Sequence, residues 1–191
     1  MGLRDILAGR TKQVQPKLDN LFALPQAAIT LETALDLIPS GQAGLLFKAG
    51  SGADSITADA DILSLLNFDL NSEDVSLTTD DLGFKWLVIK DPDLSSLVTH
   101  IHGANTTLTE NGLGPRLLCA VFGFVDKTPP SEGDIRMVYL LKQGTWYPFA
   151  PTGKEQRNNE LELRIKAFLE TEIPMEKDLS RWMALWDLPV N

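Results

Sequence analysis

"LLCAVFGFV", Leu117 to Val125, carries no charged residue and no side-chain amide across nine positions. The run has the length of a strand, is rich in Val, Phe and Leu, and meets turn signals at both ends. It reads as a buried β-strand. Outward from it, "DKTPPSEGD" is a loop, and "IRMVYLLK" returns as the hairpin partner. After Gly144 comes "TWYPF", a third strand of the same unit. Pro148 cannot donate a backbone hydrogen bond, which places Tyr147–Phe149 at a sheet edge or strand end. Side chains alternate along a strand, so Trp146 and Phe149 fall on opposite faces. At least one aromatic is then expected near the surface unless the strand bulges.

On the N-terminal side of the run lies "DPDLSSLVTHIHGANTTLTENGLG", a helix. Asp91 is taken as its N-cap, with Pro92 in the first helical position and Asp93 favouring the positive end of the dipole. Leu94, Leu97, Val98, Ile101, Ala104, Asn105 and Leu108 line one face, and Gly112 ends the helix. Before it, Val75–Thr79 and Phe84–Lys90 are strands around the turn "DDLG". Phe84, Trp86 and Val88 share one face of the second strand, Leu87 and Ile89 the other, so that strand is central or covered on both sides. "AGLLFKAG" supplies a strand over Ala43–Ala49. Two helices, Leu18–Leu24 and Gln26–Leu37, precede it, separated by Pro25; Pro39-Ser40-Gly41 stops the second. A last helix, Asn159–Glu170, is capped by Asn159 with Glu162 closing a capping box. The tail "DLSRWMALWDLP" spaces Leu179, Trp182, Met183 and Trp186 as on a short amphipathic helix.

The order is α-β-β-β-α-β-β-α. Short turns between strands favour an antiparallel sheet with helices mainly on one face, a two-layer α+β fold. The order is similar to that of type III secretion chaperone-like folds, which dimerise and bind other proteins; on that likeness a homodimer is one expectation. Residues 1–15 form an N-terminal arm, 16–174 one α+β domain with a variable insertion over 50–74, and 175–191 an aromatic tail. The acidic insertion has helical spacing at Ile62, Leu65 and Leu66, and lacks the arrangement of a calcium loop.

The 191-residue chain has a net charge of -9, which repels phosphate backbones and argues against a nucleic-acid partner. Cys119 is the single cysteine, so no internal disulfide can form and a reducing compartment such as the cytoplasm is expected. No apolar run reaches the ~18 residues of a membrane span. The first twelve residues, "MGLRDILAGRTK", lack the apolar core of a secretion signal. Leu3, Ile6 and Leu7 fall there at helical spacing among Arg4, Arg10 and Lys12. This basic amphipathic segment fits contact with an anionic membrane surface, docking on a partner, or a simple first helix.

No catalytic or metal constellation stands out. His100 and His102, two apart on a helix, point in directions roughly 200° apart and cannot share a metal. Cys119 in a buried strand reads as a small core hydrophobe. A dyad with either histidine would require strand and helix to meet in a cleft. "GLGPR" reads as a helix end and turn, and "PTGKEQ" lacks the first half of a phosphate loop. No cofactor is called for. What remains is aromatic: Trp146, Tyr147 and Phe149, with Trp182, Met183 and Trp186 in the tail. These residues either fill the core or build a partner-binding surface. If the tail is a surface, trimming Asp178–Asn191 weakens binding without unfolding the core. An alternative is a small-molecule or lipid-binding domain, even an enzyme, with its pocket between helix 91–111 and the sheet near Trp86, His100, Cys119 and Trp146.

Several segments, in order, resemble one family. They are "MGLRDILAGR", "LFALPQAAITLE", "WLVIKDPD", "LGPRLLCAVFGF", "VYLLKQGTWYPFAP", "RNNELELR" and "DLSRWMALWDLP". Together they look like the PspA-associated protein family PspAB and cover most of the chain, with no such segment over about 50–74. The resemblance implies a cytoplasmic protein of bacteria and archaea linked to the phage-shock envelope-stress system; with no catalytic constellation in the sequence, a non-enzymatic accessory protein is expected. Its partner would be PspA-like, PspA being a coiled-coil protein that coats stressed inner membrane. In some genomes the family is encoded beside an HtpX-type membrane protease. It offers no established catalytic residues to carry over. A peripheral position at the inner face of the cell membrane is compatible with it.

Overall fold

The computed structural model describes residues 18–48, 62–66, 74–127, 134–186 and 188–190. Leu3, Ile6 and Leu7 lie outside them. A 3-10 turn over Leu18–Ala23 leads directly into α1 (Leu24–Leu35), with Pro25 inside the first turn of that helix rather than between two helices. Pro in the first turn removes no hydrogen bond, which is why it starts this helix instead of breaking it. Asp36 adopts a left-handed conformation, φ 55°, and reverses the chain straight into β1 (Leu37–Lys48). The expected helix stop Pro39-Ser40-Gly41 therefore lies within a strand. The register against β4 shifts between Pro39 and Ala43, and Gly41 sits there at φ 79°. A bulge tolerates both a proline and a left-handed glycine.

β2 (Val75–Thr79) and β3 (Phe84–Lys90) form the expected hairpin. α2 (Leu94–Glu110) starts two residues later than its sequence reading. Its cap is Asp93, whose carboxylate accepts the Ser96 N–H, while Asp91 accepts the Asp93 N–H. β4 (Leu117–Asp126), β5 (Asp134–Leu140) and β6 (Thr145–Phe149) follow. A small hairpin, β7 (Pro151–Gly153) and β8 (Gln156–Arg157), precedes α3 (Asn159–Leu169). α3 is capped by Asn158, not Asn159, and this frees Glu162 from the capping box for another task.

The protein is α+β. Six antiparallel strands run in the order β2-β3-β1-β4-β5-β6, beside the two-stranded β7-β8 sheet. As Pro148 requires, β6 is an edge strand. One face carries α1, α2, α3 and a helical turn over 62–66, packed on Leu45, Phe47, Leu87, Ile89, Phe122 and Trp146. Ile62 and Leu66 of that turn are buried, whereas Leu65 is exposed. The opposite face carries Leu46, Trp86, Val88, Cys119, Val121, Val138, Tyr147 and Phe149, covered by Trp182, Leu188 and Val190 of the C-terminal tail.

This second cover changes the fate of the aromatic strand. Trp146 points to the helices and Tyr147 and Phe149 to the tail, so the alternation is as expected. None of the three is near the surface, because both faces of the edge strand are covered. The tail is also not an amphipathic helix. A 3-10 turn over Leu179–Arg181 is its only helical piece among the described residues, and the chain beyond it is irregular. Once Trp182, Leu188 and Val190 must all reach one flat sheet, helical rotation would turn part of that set away from it.

Candidate functional site

The tail is held along its length by specific bonds. Residues 174–176 run beside β6: the Trp146 N–H donates to the Pro174 carbonyl at 2.9 Å, and the Glu176 N–H to the Trp146 carbonyl at 2.7 Å. Glu176, almost fully buried, accepts from the Thr145 hydroxyl at 2.8 Å and from the Asp178 N–H at 2.9 Å, with Arg181 3.5 Å away. The Trp182 indole donates to the Glu176 carbonyl at 3.2 Å, and its ring stacks on Tyr147 at 5.9 Å. The Tyr147 hydroxyl donates to the Met183 carbonyl at 3.1 Å. Trp186 meets Phe149 edge-on at 5.1 Å.

Two arginines complete the attachment. Arg157 on β8 donates through Nε to both oxygens of Glu162, at 2.8 and 3.0 Å, and through a terminal nitrogen to the Trp182 carbonyl at 2.9 Å. Its guanidinium lies 4.9 Å from the centre of the Phe149 ring. Glu162 also takes the Ala150 N–H at 2.8 Å. A buried carboxylate is tolerable only with such a set of donors. Arg136 on β5 holds the other end, donating to the Val190 carbonyl at 2.9 Å. Arg157 and Arg136 were not singled out from the sequence, and Glu162 was read there only as part of a capping box. Arg157 and Glu162 are five residues apart across a helix start, a spacing that signals nothing by itself.

Between these attachments, the tail and one end of the sheet enclose a groove of about 1010 Å³. Leu46, Trp86, Cys119 and Tyr147 of the sheet line it, with Leu185 and Trp186 opposite. The β2–β3 turn closes one flank. There Asp80 accepts the Leu82 and Phe84 N–H groups at 3.0 and 2.9 Å and the Trp86 indole at 3.2 Å, which fixes both turn and ring. Burial pushes the Cys119 thiol up to about 12 and raises the Tyr147 hydroxyl well above its ordinary range, so both are neutral walls rather than reactive groups.

The groove lies on the tail side of the sheet, not between α2 and the sheet. Trp86 and Cys119 face it, while Trp146 belongs to the helix-side core and His100 sits on α2, so the sheet separates the two pairs. On the helix side, apolar side chains pack against the sheet; Asn105, fully buried there, has no hydrogen-bond partner among the described residues. The histidines occupy unlike surroundings. His100 lies 3.7 Å from Asp91, and the His102 ring 5.0 Å from that of Phe22. Among the described residues, no group of three or more His, Cys, Asp or Glu could hold a metal, and no helix is long and apolar enough to cross a membrane.

Of the aromatic candidates, Trp146, Tyr147, Phe149 and Trp182 are buried and Trp186 is half-buried. Met183 is 62% exposed and Leu179, four residues before it, 55% exposed. Leu82, at the tip of the β2–β3 turn, is 82% exposed beside the groove.

Fold and groove together define an α+β protein whose antiparallel sheet lies between a helical layer and its own tail. The chain belongs to the PspAB family, described as PspA associated protein B, whose pattern matches residues 1–190. No curated protein and no solved structure matches it.

Proposed function

We propose that this protein is an accessory component of the phage-shock envelope-stress system that acts by binding a PspA-like partner at the cytoplasmic face of the membrane. The family description names association with PspA, and this is the observation that carries the reading. The docking surface is the outer side of the tail. Leu179 and Met183 stand in solvent there, on a segment whose other side is fastened to the sheet by Trp182. A partner covering them withdraws apolar area without disturbing that fastening.

The test is retention of purified PspA by the immobilised protein at low salt. Retention is expected, and the double substitution Leu179→Glu with Met183→Glu should reduce it about tenfold or more, as loss of two central apolar contacts does. Both side chains are exposed, so melting temperature should stay within a few degrees. No retention by the parent protein, or full retention by the double variant, would sink the proposal.

A further inference from the structure

The groove supports an inference that is independent of the partner. Its walls are apolar, and its mouth carries cations. Lys48 ends β1 and Lys142 follows β5, and both line the groove. Strand β4 lies between β1 and β5 in the sheet, so the two backbones are about 10 Å apart, twice the spacing of neighbouring strands. Flexible lysine stems close that gap easily. Both lysines are exposed, and neither has a hydrogen bond or ion pair among the described residues.

The mouth also carries Asp80 and Asp81, on the β2–β3 turn beside Lys48, and Arg181. Asp80 is engaged by three N–H donors, and Arg181 lies against Glu176 and Asp178. Asp81, exposed on the β2–β3 turn, lies beyond Lys48 as seen from Lys142, because β3 flanks β1 on the side away from β4. On a chain of net charge -9, two uncommitted lysines bracketing an apolar groove suit an anionic head with an apolar body.

The tail wall of the groove is fastened through the Trp182, Met183 and Val190 carbonyls. An alkyl chain suits an apolar groove of about 1010 Å³, and each methylene it withdraws from water adds about fourfold to affinity.

We propose that the groove binds a long-chain fatty acid. Its alkyl chain lies along Leu46, Trp86, Cys119 and Tyr147, and its carboxylate sits between Lys48 and Lys142.

The experiment uses the full chain and dibromostearate, which quenches tryptophan on contact; Trp86 and Trp186 line the groove. Saturable quenching below the micellar concentration is expected, reversed by oleate. Oleyl alcohol, without the charge, should compete about tenfold more weakly, and Lys48→Glu with Lys142→Glu should weaken oleate by about the same factor. The double variant should keep its circular dichroism, since both lysines are exposed and unpaired among the described residues. Absent or unsaturable quenching overturns the proposal, as does a double variant that binds oleate like the parent. So does a fluorescence change produced by a PspA-like partner where the fatty acid produces none, which would give the groove to the partner.

Discussion

Glu176 shows how one carboxylate can bind a tail to a sheet. Burial alone would raise its pKa, but the Asp178 N–H, the Thr145 hydroxyl and Arg181 outweigh burial and hold it below the ordinary value of 4.5. A depressed native pKa adds stability that is complete above the unfolded value and disappears as pH falls through the native one. Attachment of the tail should therefore weaken in acid, below about pH 4.5. The expected result is a urea midpoint that falls with pH in that window for the parent. Glu176→Gln should start lower at neutral pH by about 1 kcal/mol and change less on acidification. Equal pH dependence of the two would show that Glu176 is not the group responsible. Nothing around Glu176 in "PMEKDLSR" marks it as buried, because its partners Thr145 and Arg181 lie on either side of it in the chain and only folding gathers them.

At the scale of the element, the tail depends on a missing side chain in β1. A Cβ at Gly44 would lie 2.8 Å from a Val190 methyl and 3.2 Å from the Trp86 ring. Glycine lets the end of the chain settle on the sheet beside that indole. Gly44→Val should cost about 2 kcal/mol through overpacking and release the final residues, with Arg136 losing the Val190 carbonyl. Limited proteolysis should then remove the C-terminus before the sheet is cut, and tail-first cleavage no faster than in the parent would refute this. The strands around Gly44 were legible because apolar runs and period-two alternation are local properties. The tail was misread as a helix for a related reason. A spacing of three and four is satisfied by Trp182 and Trp186 whatever the backbone does, and the sheet, not propensity, decides which path buries them.

For the whole molecule, the consequence is that the tail is structural as well as a candidate surface. Removing Asp178–Asn191 uncovers Trp86, Tyr147 and Phe149 on the second face. Even ~100 Å² newly exposed on each, at ~25 cal/mol per Å², comes to about 7 kcal/mol, comparable to the entire stability of an ordinary domain. The truncated chain should lose cooperative unfolding or aggregate, as read by circular dichroism melting and size-exclusion chromatography. A monomer with the parent melting temperature would contradict this. Partner binding is therefore better probed with Leu179 and Met183 substitutions than by trimming. The antiparallel α+β class, the strands from Val75 to Phe149, the buried face of α2 and the family could all be read from the residues alone, since each rests on short-range patterns or on ordered segments. The cover on the second sheet face, its fastening by Arg157, Glu162 and Arg136, and the groove on the tail side came into view with the folded chain. Those outcomes depend on contacts between residues far apart in the chain, Arg136 with Val190 and Gly44 with Val190 among them, and no local pattern encodes which distant segment will reach a given face.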